Sequence, residues 1–254
     1  MTTHLFVPDT QVRTGVPIDH IKALGNYIEE KRPDKIIVAG DWWDMPATSR
    51  WNNAQEQEGL RVIDDIEVGR KAMNLLWKAV NKRNRKVAGW KKKQYTPEKH
   101  FLMGNHEVHL ERLWQNDPRL EGLINYDMLD LEKHGFAVHE FLNPVEIDGI
   151  LYCHYFANPN SGRPYGGMIE TRLKNIGQSF TQGHAQSFAY GEREVPSGKR
   201  HHGLVAGSFY QHYEPYKGPY GNHHWRGVVM KHEVRDGQYD ISKISLDFLL
   251  RRYS

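Results

Sequence analysis

Carboxylates, imidazoles and amide oxygens recur in this chain at one kind of place, the end of a short apolar run. His4-Leu5-Phe6-Val7 runs into Pro8-Asp9-Thr10-Gln11, and Lys35-Ile36-Ile37-Val38-Ala39 runs into Gly40-Asp41-Trp42-Trp43-Asp44. His100-Phe101-Leu102-Met103 leads into Gly104-Asn105-His106-Glu107, His154 follows the apolar run that ends at Cys153, and Phe180-Thr181-Gln182 leads into Gly183-His184-Ala185-Gln186. A strand that ends in polar side chains projects them from the carboxyl edge of its sheet, where open α/β sheets hold their ligands. Gathered on one edge, these groups form a donor set suited to two divalent cations. A carboxylate such as Asp41 can bridge two ions, and ions roughly 4 Å apart can clamp the attacking and leaving oxygens of an in-line phosphoryl displacement.

The elements that must position this set follow from periodicity. From Pro17 to Arg32, Ile18, Ile21, Leu24, Tyr27 and Ile28 recur at helical spacing. A second helix is expected from about Leu60, with Val62, Ile66, Met73, Leu76 and Val80 on one face, and a third from Val108 to Trp114. The first half therefore reads βαβαβ, the pattern of a mostly parallel sheet. The second half reads as strands: Phe136 to Leu142, Val145 to Phe156 with an Asp148-Gly149 turn, Phe180 onward, Leu204 to Gly207, and a hairpin over Gly227–Val234 and Tyr239–Ile244. Without internal repeat or linker, residues 1–254 are expected to form one domain with two packed sheets.

Composition narrows the class. A chain of 254 residues with 39% hydrophobic and 26% charged residues suits a soluble globular protein. No run approaches the roughly 20 apolar residues that cross a bilayer, and the start shows no secretory pattern. A single cysteine, Cys153, excludes an intrachain disulfide and fits a reducing cytoplasm. The expected location is cytoplasmic, with no membrane partner. The net charge of +3 names no partner by itself.

Taken one at a time, the motifs have plain structural explanations. Asp9-Thr10-Gln11 could cap a strand, and His154 could be a hydrogen-bonded core histidine. Two acids beside the tryptophans of Gly40–Asp44 would be costly there without a counter-charge. Jointly, the order Asp-x-(His), Gly-Asp-x-x-Asp, Gly-Asn-His-Glu, His, Gly-His-x-(His) resembles the calcineurin-like metallophosphoesterase superfamily, and is similar to the compact versions found in bacteriophage genomes. The resemblance runs from Asp9 to Gln186 and implies a four-layer α/β/β/α sandwich of two mixed sheets. It implies Asp41 as the bridging carboxylate, with Asn105, His154 and His184 completing metal site two. Asp9, with the positions of Gln11 and Gln186, would form site one. His106 would protonate the leaving group or stabilise the transferring phosphoryl, and Asp44 would orient it. For a phage-encoded protein the compartment would be the host cytoplasm.

Gln11 and Gln186 depart from the family's histidines, and both fall on site one. Glutamine offers a hard, neutral oxygen, so that site becomes all-oxygen and favours Mn²⁺, Mg²⁺ or Ca²⁺ over Zn²⁺. The expected cofactors are two divalent ions, Mn²⁺ first, with Mg²⁺, Fe²⁺, Ni²⁺ or Zn²⁺ as alternatives. Asp44 is followed by Met45-Pro46 rather than the Arg-Gly of protein serine/threonine phosphatases, which counts against that subfamily.

Three further segments invite a phosphate-bearing partner. Lys82 to Lys99 is basic, with Val87, Gly89, Trp90 and Tyr95 interleaved, a pattern that can track a phosphate backbone but equally a solvated loop. Phe209 to Arg226 is a long irregular segment rich in aromatic and basic residues, among them His223 and His224. Gly162 to Gly167 offers Arg163 and Tyr165. The expected activity is phosphodiester hydrolysis by a hydroxide bridging two metals, on DNA, RNA or a nucleotide. The alternatives are a phosphomonoesterase, acting on nucleotide or protein, and a nucleic-acid-binding protein with a degenerate metal site.

Overall fold

The computed structural model describes residues 2–49, 53–214 and 217–254, with the side chains of residues 54 and 92 outside the description; Tyr216, in the aromatic segment, is also outside it. The strands are β1 (Thr2–Val7), β2 (Lys35–Val38), β3 (Glu98–Leu102), β4 (Ala137–His139), β5 (Val145–Ile147), β6 (Ile150–Cys153), β7 (Phe180–Gln182), β8 (Phe188–Glu194), β9 (Arg200–Ala206), β10 (Gly227–Arg235) and β11 (Gln238–Ser245). The helices are α1 (Asp19–Lys31), α2 (Ala54–Gln57), α3 (Val62–Lys86), α4 (Val108–Asn116), α5 (Ile169–Ile176), α6 (Gly218–Gly221) and α7 (Leu246–Tyr253).

Two mixed sheets result. The first has six strands in the order β11-β10-β1-β2-β3-β4, and the second has five in the order β5-β6-β7-β9-β8. β1, β2, β3 and β4 run parallel, so their carboxyl ends share one edge. β6, β7 and β9 are likewise parallel. The expected strand over 136–142 shortens to β4 and closes the first sheet, and the carboxyl-terminal hairpin returns to that sheet antiparallel to β1. The expected βαβαβ pattern of the first half is present. The basic segment is less of a loop than expected, because α3 runs on to Lys86.

Alternation along β1 shows why the sheets stack. Phe6 points to a core shared with Ile37 and Leu102 of the same sheet and Ile150, Tyr152 and Leu204 of the other. Leu5 and Val7 point the opposite way, to Leu24 and Ile28 of α1, Met73 and Leu76 of α3, and Leu249 of α7. On the second sheet, Phe180 and Val205 meet Ile169 and Leu173 of α5. A polar seam threads the shared core: Lys231 donates to Tyr152 Oη at 3.1 Å and to Thr181, and His4 Nδ1 lies 2.7 Å from the same phenol oxygen. Burial pushes His4 down to about 4, so it sits in the seam as a neutral ring.

α3 is fixed against the sheet edge by the tryptophans of the Asp41 motif. Trp42 Nε1 donates to Gly69 O at 3.1 Å and Trp43 Nε1 to Ile66 O at 3.2 Å. The Trp43 indole fills the space at Gly69: a Cβ there would lie 1.7 Å from Trp43 Nε1, so only glycine permits the contact. The two indoles thereby hold the loop carrying Asp41 and Asp44.

Candidate metal centre

The loops that leave β1 and β2 run side by side. Thr10 N and Gln11 N donate to Asp41 O at 3.0 and 2.9 Å, and Val12 N donates to Trp42 O at 2.8 Å. This lacing carries Asp9, Gln11 and Asp41 to the edge where Asn105 and His106 leave β3. Gln11, Asp41, His184 and Gln186 all adopt positive φ, between 42° and 63°. Non-glycine residues in that region cost of order 1–3 kcal/mol each and gather where the surrounding structure over-determines them.

Glu107 is the hub of the turn. Its carboxylate is fully buried and accepts N–H groups from Asp41 (2.8 Å) and Gly104 (2.9 Å) on one oxygen, and from Trp42 (2.8 Å) and Trp43 (3.2 Å) on the other. Burial, then the charge of Asp41, pushes its carboxyl up to about 7. The motif pointed to Glu107 only as part of Gly-Asn-His-Glu, without a role.

Four side chains converge beyond this turn. His154 Nδ1 lies 2.7 Å from the Ala39 carbonyl and must donate there, which turns its Nε2 inward. That Nε2 lies 2.9 Å from Asn105 Oδ1 and 3.4 Å from Asp41 Oδ2, and His184 Nδ1 lies 2.9 Å from the same Asn105 oxygen. Asp41, His154 and His184 each offer a ligand atom within 4.8 Å of one another. A neutral His154 with its proton on Nδ1 would bring a lone pair against two oxygens that also lack protons. Such a cluster needs a cation or a proton at its centre, so these donors fit a divalent ion. Burial disfavours charge on His154, yet Asp41 outweighs it and raises the ring to about 9. His184, disfavoured by burial and by the neighbouring His154 charge, falls to about 4. Asp41 is held well below the usual carboxylate range despite its burial, chiefly by His154 and His106.

His106 occupies the rim. Its Nδ1 lies 2.5 Å from Asp44 O, so it donates there, and its Nε2 stands 3.8 Å from Asp41 Oδ2. Its main-chain N–H donates to Asp41 Oδ1 at 3.0 Å. Burial opposes charge on this ring, but Asp41 and Asp44 overcome it and raise its pKa. Asp44 thus holds His106 through its carbonyl, while its carboxylate accepts from Arg13 at 3.1 Å. Arg13 also reaches Glu214 at 3.4 Å, and Glu214 lies 2.5 Å from His212 Nε2. Asp44, His212 and Glu214 could also group around an ion, but the Arg13 guanidinium already lies against both carboxylates.

The third cluster of donors behaves differently. Asp9 is fully buried; Oδ1 accepts the His184 N–H at 2.9 Å, and burial followed by the Asp41 charge raises its carboxyl to about 6. Asp9 Oδ2 and Gln11 Oε1 are buried with no hydrogen-bond partner among the described residues. Gln186 Oε1, in contrast, accepts from Tyr210 Oη at 2.8 Å and from Lys217.

A cavity of about 240 Å³ joins these groups, lined by Gln11, Asp41, Asn105, His106, His184 and Gln186, together with Ala185 and Lys217. The structure therefore brings the strand-end residues to one place. Gly183 permits it, since a Cβ there would lie 2.4 Å from Asp9 Oδ1.

The four expected substrate contacts are not among the residues that line this cavity. Arg163 is exposed on a turn, and Tyr165 packs against the core under α5. His223 is exposed, and His224 is bound to Ser208 Oγ (2.8 Å) and Gly221 O (2.8 Å). None of the four lines the cavity: loop composition suggested them, but composition does not tell which side chains of a loop turn inward. Tyr210 and Lys217, in the aromatic and basic segment the sequence offered as a pocket-shaping loop, do reach the site, whereas Arg13 and Glu214 were not singled out by the sequence.

No protein-family model matches the chain, and no curated protein sequence matches it. Among solved structures it is similar to one titled "Crystal structure of Pseudomonas putida nuclease MPE", at 12% identity and a TM-score of 0.37, over 94% of this chain and 87% of that one.

Proposed function

We propose that this chain is a metal-dependent phosphoesterase of the calcineurin-like metallophosphoesterase type, a single domain in the four-layer α/β/β/α arrangement, acting on phosphodiesters. The observation that carries the reading is the convergence of Asp41, Asn105, His154 and His184, with His154 Nδ1 committed to the Ala39 carbonyl and its Nε2 turned onto two oxygens. These four, two oxygens and two imidazole nitrogens, would hold a divalent first-row cation, with Mn²⁺ the ion first tested. When bound, the ion would supply Lewis-acid charge against a phosphoryl oxygen.

The chain's own residues supply the rest. His106, anchored at Nδ1, turns Nε2 to the rim of the cavity, and Asp41 and Asp44 favour a proton there, where a leaving oxygen would need one. Glu107 keeps the two loops at fixed separation through main-chain N–H groups. Lys217 adds positive charge at the cavity, which suits a phosphate-bearing substrate such as a nucleotide, DNA or RNA. Among the described residues no helix is long and apolar enough to cross a membrane.

The test is a screen of metal-stripped protein. Phosphomonoesters, phosphodiesters, and single- and double-stranded DNA and RNA are each offered with Mn²⁺, Mg²⁺, Zn²⁺ or Ni²⁺. Hydrolysis of diesters restored by added Mn²⁺ is the expected result. Monoester hydrolysis alone would reassign the substrate class. Nucleic-acid binding without hydrolysis under any metal would leave a binding protein on this fold.

A further inference from the structure

The cavity has two unequal halves. Around His154 the oxygen and nitrogen donors face one another directly. Around Gln186 a cation is already present, the ammonium of Lys217. It donates to Gln186 Oε1 and lies 2.9 Å from Tyr210 Oη, which itself donates to the same amide oxygen. Lys217 also lines the cavity beside Gln11 and His184.

This lysine is held in place by a built support. Tyr210 is fully buried, and its ring is covered by the Arg226 guanidinium at 4.4 Å. Arg226 donates to Tyr210 O at 3.1 Å and to His212 O at 2.9 Å. Asn222 Oδ1 accepts from Glu214 N at 2.8 Å, while its Nδ2 donates to Glu214 O at 2.8 Å and Gly218 O at 2.7 Å, closing the segment around Lys217. Lys217 N donates to Glu214 O at 3.1 Å.

The chemistry of the two glutamines matches this arrangement. A protonated imidazole at position 186 would repel an ammonium, whereas a carboxamide oxygen accepts from it without charge of its own. Asp9, Gln11 and Gln186 therefore do not fit a second metal as they stand, because Gln186 Oε1 is engaged by Lys217 and Tyr210. Among the described residues, Asp9 Oδ2 and Gln11 Oε1 on that side have no hydrogen-bond partner, and such buried oxygens favour a cation nearby.

We propose that Lys217 stands in for the second cation: the chain takes one divalent ion, at Asp41, Asn105, His154 and His184, and the Lys217 ammonium supplies the fixed positive charge beside it. This rests on the metal-dependent reading above. It assigns the substrate phosphate to a site clamped by one ion on one side and an ammonium on the other.

The experiment is a Mn²⁺ titration followed by calorimetry and electron paramagnetic resonance. Wild-type protein is expected to bind one ion per chain, with the spectrum of an isolated Mn²⁺, and His154→Ala is expected to lose it. The triple variant Lys217→Met, Gln11→His, Gln186→His is expected to bind two, with a spin-coupled spectrum. Lys217→Arg, which keeps the charge, is expected to bind one. Two spin-coupled ions in the wild type would overturn the inference and leave the phosphoesterase reading standing, as would a triple variant that folds and still binds one. No ion in the wild type, or an ion indifferent to His154→Ala, would overturn the metal reading and the inference together. Should the triple variant not fold, the wild-type stoichiometry decides alone.

Discussion

The two ends of the parallel strands treat charge in opposite ways. At the carboxyl end, Asp9, Glu107 and Asp41 are buried to 2% exposure or less, and each accepts main-chain N–H groups at 3.2 Å or shorter. At the amino end of β3, Lys82, Arg83, Arg85, Lys86, Lys91 and Lys93 are exposed. Trp90 is 66% exposed there, with Lys93 Nζ 4.6 Å from its ring centroid. The buried charges sit at low dielectric in fixed geometry, so their protonation is set by their neighbours and losing one disrupts the others. The exposed charges are screened within about 8–10 Å by salt and act nearly independently. Chemistry is therefore expected from the first set, and steering of a polyanion at most from the second.

The sharpest way to break that contrast is Asp41→Asn. The amide keeps the shape but loses the charge that would help hold the cation and that raises the pKa of His154 and His106. Hydrolysis is expected to fall below detection, with circular dichroism unchanged. Turnover within a few-fold of wild type at full metal occupancy would remove Asp41 from the centre of the site.

His106→Ala comes next. A positioned general acid typically contributes ~10²–10⁴-fold, so turnover is expected to fall by that range while bound metal stays constant. The loss should shrink on nitrophenyl esters, whose leaving group departs without a proton. An equal loss across leaving groups would restrict His106 to charge stabilisation.

Glu107→Gln tests whether the buried set acts as a unit. One amide oxygen cannot serve both pairs of N–H groups, and the Nε2 would meet two donors. A buried donor left unsatisfied costs about 1–3 kcal/mol, and at ~2–4 °C per kcal/mol for a chain of this size the melting temperature should drop by several degrees. Turnover should fall less than in His106→Ala. An unchanged melting temperature would show that the turn holds its shape without the carboxylate.

How much of this was legible in the sequence depends on distance along the chain. The strand ends were readable because each apolar run and its polar turn are contiguous, and α1 and α3 are long enough to display a helical period. α5 and α7 have eight residues each, too few for the period to stand out, and β8 lacks the alternation that marks a half-buried strand. The positive φ of Asp41 and Gln186 leaves no mark on composition. The pairing of Lys217 with Gln186 spans 31 positions and that of Arg13 with Glu214 spans 201, so only the fold reveals them. Arg163, Tyr165, His223 and His224 show the converse: residues of suitable type in irregular segments that do not line the cavity.

The smallest effect is expected at the other end of the sheet. Asn84 Oδ1 accepts from Tyr95 N at 2.9 Å and its Nδ2 donates to Tyr95 O at 2.7 Å, while Tyr95 Oη donates to Pro33 O at 2.6 Å. The base of the basic segment is thus pinned to the body, and its tip, with Lys91 and Lys93 on a 3₁₀ turn beside Trp90, faces solvent. A tip built this way can meet a phosphate backbone without touching the cavity. Replacing Lys91, Lys92 and Lys93 by Ala should leave hydrolysis of a small diester unchanged. If all three meet phosphates, the slope of log affinity against log salt should flatten by about 2–3 for single- or double-stranded nucleic acid. The check is binding at several salt concentrations, because loss at one concentration does not separate charge from shape. An unchanged slope would make the segment a solvated surface and confine recognition to the carboxyl edge; a fall in small-diester turnover would mean that the two ends of the sheet are not independent.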